Sequence, residues 1–297
     1  MNGENDNGLR YHSDEVLFRT AVQYTAAETG FSGELIEKDY YCSVLLDYLA
    51  RTVPVLVFRG GTCLAKVHLG FYRLSEDLDF SVSMESDAPR SERREAVAPF
   101  KDALGSLSDR LKGVEILEPV VGANNSTQYV AAVGYGSVIT GATARIKIEV
   151  GLREKLLLDP VRQPARTLLR DPVTDSAVVP GFPITVMSRQ EVFAEKSRAA
   201  LSRRDVAIRD FYDLQRCAAE QLVDLRSRDF TDLVRKKLSV PGNDLAGISD
   251  ERMATLGNQV VTDLKPVLRS EDFESFDLTS AIDLVQGIAA AIEGPVS

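Results

Sequence analysis

Between Phe58 and Phe80 the chain reads Phe-Arg-Gly-Gly-Thr-Cys-Leu-Ala-Lys-Val-His-Leu-Gly-Phe-Tyr-Arg-Leu-Ser-Glu-Asp-Leu-Asp-Phe, a glycine pair before a helix-forming run and a carboxylate pair on the run that follows. Val55-Leu56-Val57-Phe58, preceded by Pro54, predicts a short buried strand, because β-branched apolar residues suit a pleated surface. Gly60-Gly61 removes two Cβ atoms, so the backbone can turn sharply and phosphate oxygens can approach its amides. Thr62 is a fair N-cap for a helix over 63–69, whose first N–H groups and dipole favour an anion. Gly70 is placed to end that helix, and Lys66 to add a point charge to the phosphate site.

Leu78-Asp79-Phe80-Ser81-Val82 reads as a second strand, and alternation puts Asp77 and Asp79 on one face. Two carboxylates at that spacing repel unless a cation sits between them. Mg2+ takes one or two carboxylates together with substrate phosphate oxygens. Either half alone fits an ordinary turn or a solvated strand end. Both in order, with Lys66 and Arg73 between them, point to a metal-bound nucleoside triphosphate.

At 297 residues the chain can bury a full core, and it predicts a nucleotide-binding unit over 1–183 joined to a helical one over 184–297. No run approaches the roughly 18 to 20 apolar residues needed to cross a bilayer, so no membrane association is expected. The first eight residues are polar and acidic without the apolar core of a signal peptide, which predicts a frayed start. Cys42, Cys63 and Cys217 show no Cys-x-x-Cys spacing and fit buried thiols in a reducing cytoplasm. With only His12 and His68, a zinc site and a His-dependent hydrolase are both disfavoured, and His68 is simplest as a helix residue without a catalytic role.

A net charge of −9 argues against a general nucleic-acid coat. The basic residues are nevertheless bunched, in Arg153, Lys155, Arg162, Arg166 and Arg170, and again in Arg189, Lys196, Arg198, Arg203, Arg204 and Arg209. Such a local track can hold an RNA end.

Two helices are predicted ahead of the first strand, over 13–30 with Ser13 as N-cap and Gly30 as stop, and over 32–49. In the second, Glu37-Lys38-Asp39 reads either as a solvated face or as an approach to the nucleotide. Residues 90–112 predict one amphipathic helix, and 113–119 and 129–139 predict strands separated by a polar turn. Ala144-Arg-Ile-Lys-Ile-Glu-Val150 alternates cleanly, with Arg145, Lys147 and Glu149 on its polar face. A lone acid on such a face is ordinarily solvated, but a strand beside the Asp-x-Asp strand is where a third metal ligand would come from, so both readings of Glu149 stand. The proline-rich stretch 159–183 marks the passage into the helical region, where Ser188 is a cap with Glu191 in the box position.

Along 188–214, Lys196 shares a helix face with Ala199, Ala200 and Arg203, and Arg209-Asp210 with Asp213 forms a second charged knot. On one unbroken helix Lys196 and Asp210 would lie about 21 Å apart, too far to touch one phosphate group. The Arg-Arg-Asp-Val-Ala stretch must therefore break the helix if both serve one site. A salt-bridged amphipathic helix is the other reading.

Taken in order, Gly60-Gly61-Thr62-x-Leu64-x-Lys66, Arg73-x-Ser75-Glu76-Asp77-x-Asp79, and Glu195-Lys196 followed by Arg204 and Arg209-Asp210-x-x-Asp213 resemble the AbiEii/AbiGii nucleotidyltransferase toxins, including the MenT toxins. The resemblance implies an α+β fold, with a DNA polymerase beta-like nucleotidyltransferase core of mixed sheet and helices joined to a helical C-terminal lobe. It also implies the toxin half of a type IV toxin–antitoxin pair, cytoplasmic, with a separately encoded antitoxin. MenT-type members transfer nucleotides from a nucleoside triphosphate to the 3′ end of tRNA, blocking aminoacylation and translation.

By position, the resemblance makes Asp77 and Asp79 the Mg2+ ligands, with Asp77 catalytic, Lys196 the triphosphate-binding lysine and Asp210 a further catalytic acid. Gly60, Gly61, Thr62, Lys66 and Arg204 fill out the nucleotide contacts. Ser75 matches a serine that in some relatives is phosphorylated by the antitoxin, and a dianion two residues from Asp77 would repel triphosphate. Leu78 stands where isoleucine is common, and the chain beyond about residue 220 carries no such motif. Rival readings are transfer to a protein or small-molecule hydroxyl, a kinase-like phosphotransferase on the same cradle, and a non-catalytic binding module.

Overall fold

The computed structural model of the chain describes residues 10–247 and 249–294; the polar start and the fraying predicted for it lie outside the described residues. Two compact units divide it, Met1–Met187 and Ser188–Ser297.

In the first unit, helices α1 (Glu15–Thr29) and α2 (Gly33–Thr52) precede the sheet. The cap of α1 is Asp14 rather than Ser13, its carboxylate accepting from Leu17 N at 3.0 Å, because Ser13 is used in a preceding 3-10 turn. Gly30 stops α1 at φ 75°, a left-handed conformation that a Cβ disfavours. Strand β1 (Val57–Arg59) starts later than predicted, leaving Val55 exposed. A helical segment follows as α3 (Gly60–Cys63) and a π-helical turn (Leu64–Leu69), closed by Gly70 at φ 76°. Strand β2 (Leu78–Ser81) comes next.

The helix predicted over 90–112 is three pieces, α4 (Arg90–Ala96), α5 (Ala98–Gly105) and α6 (Leu107–Arg110). Pro99 lacks an N–H and is tolerated only in a first helical turn, so the chain restarts at α5. Strands β3 (Val114–Ala123), β4 (Gln128–Gly136) and β5 (Thr143–Gly151) form an antiparallel meander. The proline-rich passage contains β6 (Val161–Ala165) and most of the approach to β7 (Phe182–Val186). Pro164 is accommodated because β6 is an edge strand, where no ladder needs its missing N–H.

Together the strands make one mixed sheet in the order β3-β4-β5-β2-β1-β7-β6. Both parallel contacts, β2 with β5 and β1 with β7, fall at its middle. Helix α2 packs on β7, β5 and α5 and buries Ile36, Tyr40, Leu45 and Leu49. Phe58 and Phe80, neighbours across β1 and β2 with ring centroids 5.4 Å apart, fill the sheet centre. Each such buried ring is worth roughly 1.5 to 3 kcal/mol over exposure.

The second unit is helical: α7 (Arg189–Ser202), α8 (Ile208–Ala219), α9 (Arg228–Leu238), α10 (Asp250–Gln259), α11 (Ser270–Glu274) and α12 (Leu278–Glu293). Helices α7, α8, α9 and α12 pack on one another. Ser188 caps α7 through Glu191 N at 3.3 Å, and the Glu191 carboxylate meets Lys237 of α9 at 2.7 Å in the core. Among the described residues no helix is long and apolar enough to cross a membrane.

Candidate active site

Register assembles the central carboxylates. Arg59, the last residue of β1, pairs with Asp79 on β2, and Asp79 pairs in turn with Glu149 on β5. Three strands far apart in sequence thus bring Arg59, Asp79 and Glu149 into one row. Asp77 lies two residues earlier, just before β2 begins; it is exposed, and its charge acts on Asp79.

The glycine pair makes this row possible. Gly60 turns the chain out of β1 at φ 78°, and a Cβ there would lie 2.6 Å from Oδ2 of Asp79. A Cβ on Gly61 would lie 2.5 Å from Nη2 of Arg73 and 3.0 Å from Oγ of Ser75. The space the glycines vacate therefore receives the chain's own Asp79, Arg73 and Ser75, which draws the carboxylate loop tightly over the turn. Arg73 is buried there, and Ser75 is half-buried.

Two predicted roles differ in the structure. Thr62 is not the N-cap: the helix begins at Gly60, and the Thr62 hydroxyl donates to the Asp77 carbonyl at 2.5 Å, anchoring the start of the carboxylate strand. Lys66 does not serve the phosphate turn. Its ammonium is fully buried against Asp39 at 2.6 Å, Ser43 Oγ at 2.8 Å and the Arg166 carbonyl at 3.3 Å, because the helix turns that face inward onto α2. The same packing goes against the solvated-face reading of Glu37-Lys38-Asp39 on α2. Glu37 is buried against Ser137 Oγ and Val138 N, and Lys38 holds Glu76 at 2.7 Å.

Electrostatics single out Asp79. Burial pushes its carboxyl above the usual range; Arg59 opposes this, while Glu149 and Asp77 push the same way. Burial also acts to raise Glu149, but the hydrogen bond and charge of Lys147, 2.8 Å away, bring it below its ordinary value. Among the described residues no three His, Cys, Asp or Glu side chains converge closely enough to enclose a metal. The donor set nevertheless suits a hard cation: the carboxylates Asp77 and Asp79 two residues apart, and a third, Glu149, beside Asp79 by register. Arg59 and Lys147 were absent from the sequence-based site; their signal was adjacency, one preceding the glycine pair and the other two residues before Glu149 on its strand face.

In the helical unit, α7 ends at Ser202, Arg203 is extended and α8 begins at Ile208, so the chain breaks where the spacing required. Lys196 lies 2.6 Å from Oδ1 of Asp210 and 2.9 Å from Oδ2 of Asp213, both buried, and Arg203 reaches Asp210 at 3.2 Å. These four charges cancel. Arg204 is exposed. Lys196→Met would leave two buried carboxylates short of their shared cation and should cost about 3 kcal/mol in urea unfolding, with Lys196→Arg recovering most of it.

The mixed sheet that carries the glycine turn at the end of β1 and the carboxylate strand β2 beside it has a nucleotidyltransferase fold. Its likeness to solved structures agrees. A structure from H. pylori described as a candidate nucleotidyltransferase superposes with a TM-score of 0.52 at 16% identity, covering 89% of this chain and 98% of that one. The JHP933 protein from Helicobacter pylori gives a TM-score of 0.50 at 17% identity, covering 89% and 95%. No curated protein matches the sequence. The model of the AbiEii nucleotidyl transferase toxins of type IV toxin–antitoxin systems matches residues 45–286, and the chain belongs to that family.

Proposed function

We propose that this toxin-family nucleotidyltransferase is metal-dependent and adds nucleotides from a nucleoside triphosphate to the 3′ end of tRNA, stopping aminoacylation. The observation that carries the catalytic part is the register pair Asp79 and Glu149 beside the Gly60 turn, with Asp77 two residues before Asp79. Asp77 and Asp79, with Glu149, are the residues that would hold Mg2+, which when bound supplies charge stabilisation at the transferring phosphate.

The chain's own groups do the rest. Gly60 and Gly61 present backbone beside the carboxylates, and Thr62 holds the Asp77 backbone in place. Asp77, the exposed one of these carboxylates, accepts the proton of the RNA 3′-hydroxyl. Lys196 is the triphosphate ligand of the helical unit, oriented by Asp210 and Asp213. Ser75, next to Gly61, is placed so that a phosphate on it would crowd the turn with negative charge. The cognate antitoxin is the partner that the family implies.

The protein incubated with α-labelled nucleoside triphosphates, total RNA and total protein should place label in tRNA. Label confined to protein or small molecules would overturn the acceptor, and label transferred from the γ-phosphate alone would overturn nucleotidyl transfer.

A further inference from the structure

Lys147 is required by neither the glycine turn nor the Asp-x-Asp strand. On β5 it shares the polar face with Glu149, and it sits opposite Ala132 of β4, whose short side chain leaves it room. Its ammonium is 2.8 Å from Oε2 of Glu149, and its charge also acts on Asp79 and Asp77.

Two cations thus serve one row of carboxylates, and they differ in freedom. Arg59 is tied through Nε to the Phe80 carbonyl at 3.3 Å and lies across from Asp79. Lys147 hangs on a flexible four-carbon stem with its side chain 41% exposed, whereas the Glu149 side chain that it holds is 18% exposed. A divalent ion that takes Glu149 competes with this ammonium, because both cations are drawn to the same carboxylate and repel each other.

We propose that Lys147 exchanges partners as substrate binds: it holds Glu149 in the nucleotide-free protein and moves to a phosphate oxygen of the metal-bound triphosphate. It is a positioning residue that makes metal and triphosphate bind together rather than singly. This rests on the reading of Asp77, Asp79 and Glu149 as the metal face. The consequence has two opposite signs. Lys147 competes with a lone metal ion, and it attracts a metal ion that carries phosphate.

The test uses the full chain, with Mn2+ alone followed by electron paramagnetic resonance and preformed Mn2+–tripolyphosphate followed by calorimetry. Lys147→Met keeps the stem and removes the charge. It should bind Mn2+ alone about three- to tenfold tighter and Mn2+–tripolyphosphate about three- to tenfold weaker than the unmodified protein. Unchanged affinities, or a parallel fall in both, would overturn the exchange. Asp77→Asn serves as the control for the underlying site: if it binds Mn2+ as well as the unmodified protein, or if the unmodified protein binds none, the metal face itself falls and the exchange with it.

Discussion

Asp77→Ala is expected to lower nucleotide transfer at least about a thousandfold while moving Tm by less than about 2 °C. The first figure follows from what the carboxylate does for the reaction. Charge stabilisation by a held metal is worth several kcal/mol, and each 1.36 kcal/mol is tenfold in rate, so losing about 4 kcal/mol gives the thousandfold. The second follows from exposure: the Asp77 side chain is at the surface, and the anchor in this segment is its backbone carbonyl, which Thr62 binds and the substitution leaves untouched. Initial rates of α-label transfer, set beside a calorimetric scan, check both parts. Undiminished transfer would remove Asp77 from the chemistry, and a large fall in Tm would mean that the loss reports folding instead.

Lys66→Met is expected to do the reverse. Its ammonium and the Asp39 carboxylate are buried together, with Ser43, Thr167 and the Leu168 amide completing the network. Removing one partner of a buried pair strands the other and costs about 3 to 5 kcal/mol. For a unit of this size that is a fall in Tm of roughly 6 to 20 °C. A lysine that served the triphosphate would instead raise KM for nucleotide at unchanged Tm. The pair Lys66→Met with Asp39→Leu should recover much of the loss, since apolar side chains of similar volume can replace a buried ion pair at little cost. A stable Lys66→Met protein with weakened nucleotide binding would restore the phosphate role.

The contrast between these residues shows how far the linear motif carries. Asp77 and Asp79 are read as sharing a face because side chains alternate along a strand, a rule that needs no partner strand, and the strand that forms begins at Leu78, between them. The ending of the first helix and of the Gly60 segment was likewise legible, since Gly30 and Gly70 both take the left-handed conformation that stops a helix, whereas the second helix runs on past 49 to Thr52. The break between Lys196 and Asp210 was legible only on the condition that both serve one site, since rise per residue would otherwise hold them about 21 Å apart. Thr62 and Lys66 went the other way. Spacing placed Lys66 correctly on the helix but put Thr62 just ahead of it, whereas the helix begins at Gly60; a helix also has a whole circumference, and which arc faces a neighbour is settled by packing. Here α2 took Lys66, and the Asp77 carbonyl took the Thr62 hydroxyl.

Local chemistry therefore determined the pieces: a strand, a left-handed turn at Gly60, a helix, two carboxylates two residues apart, and a family motif spread from Gly60 to Asp213. Their conjunction was decided only by tertiary structure. Glu149 becomes a neighbour of Asp79 because β5 inserts parallel to β2, and Glu37, Asp39 and Lys66 become core residues because partners 100 to 129 positions away reach them. The reason is physical: backbone geometry propagates over a few residues, whereas a buried charge is stable only where the fold delivers an opposite one.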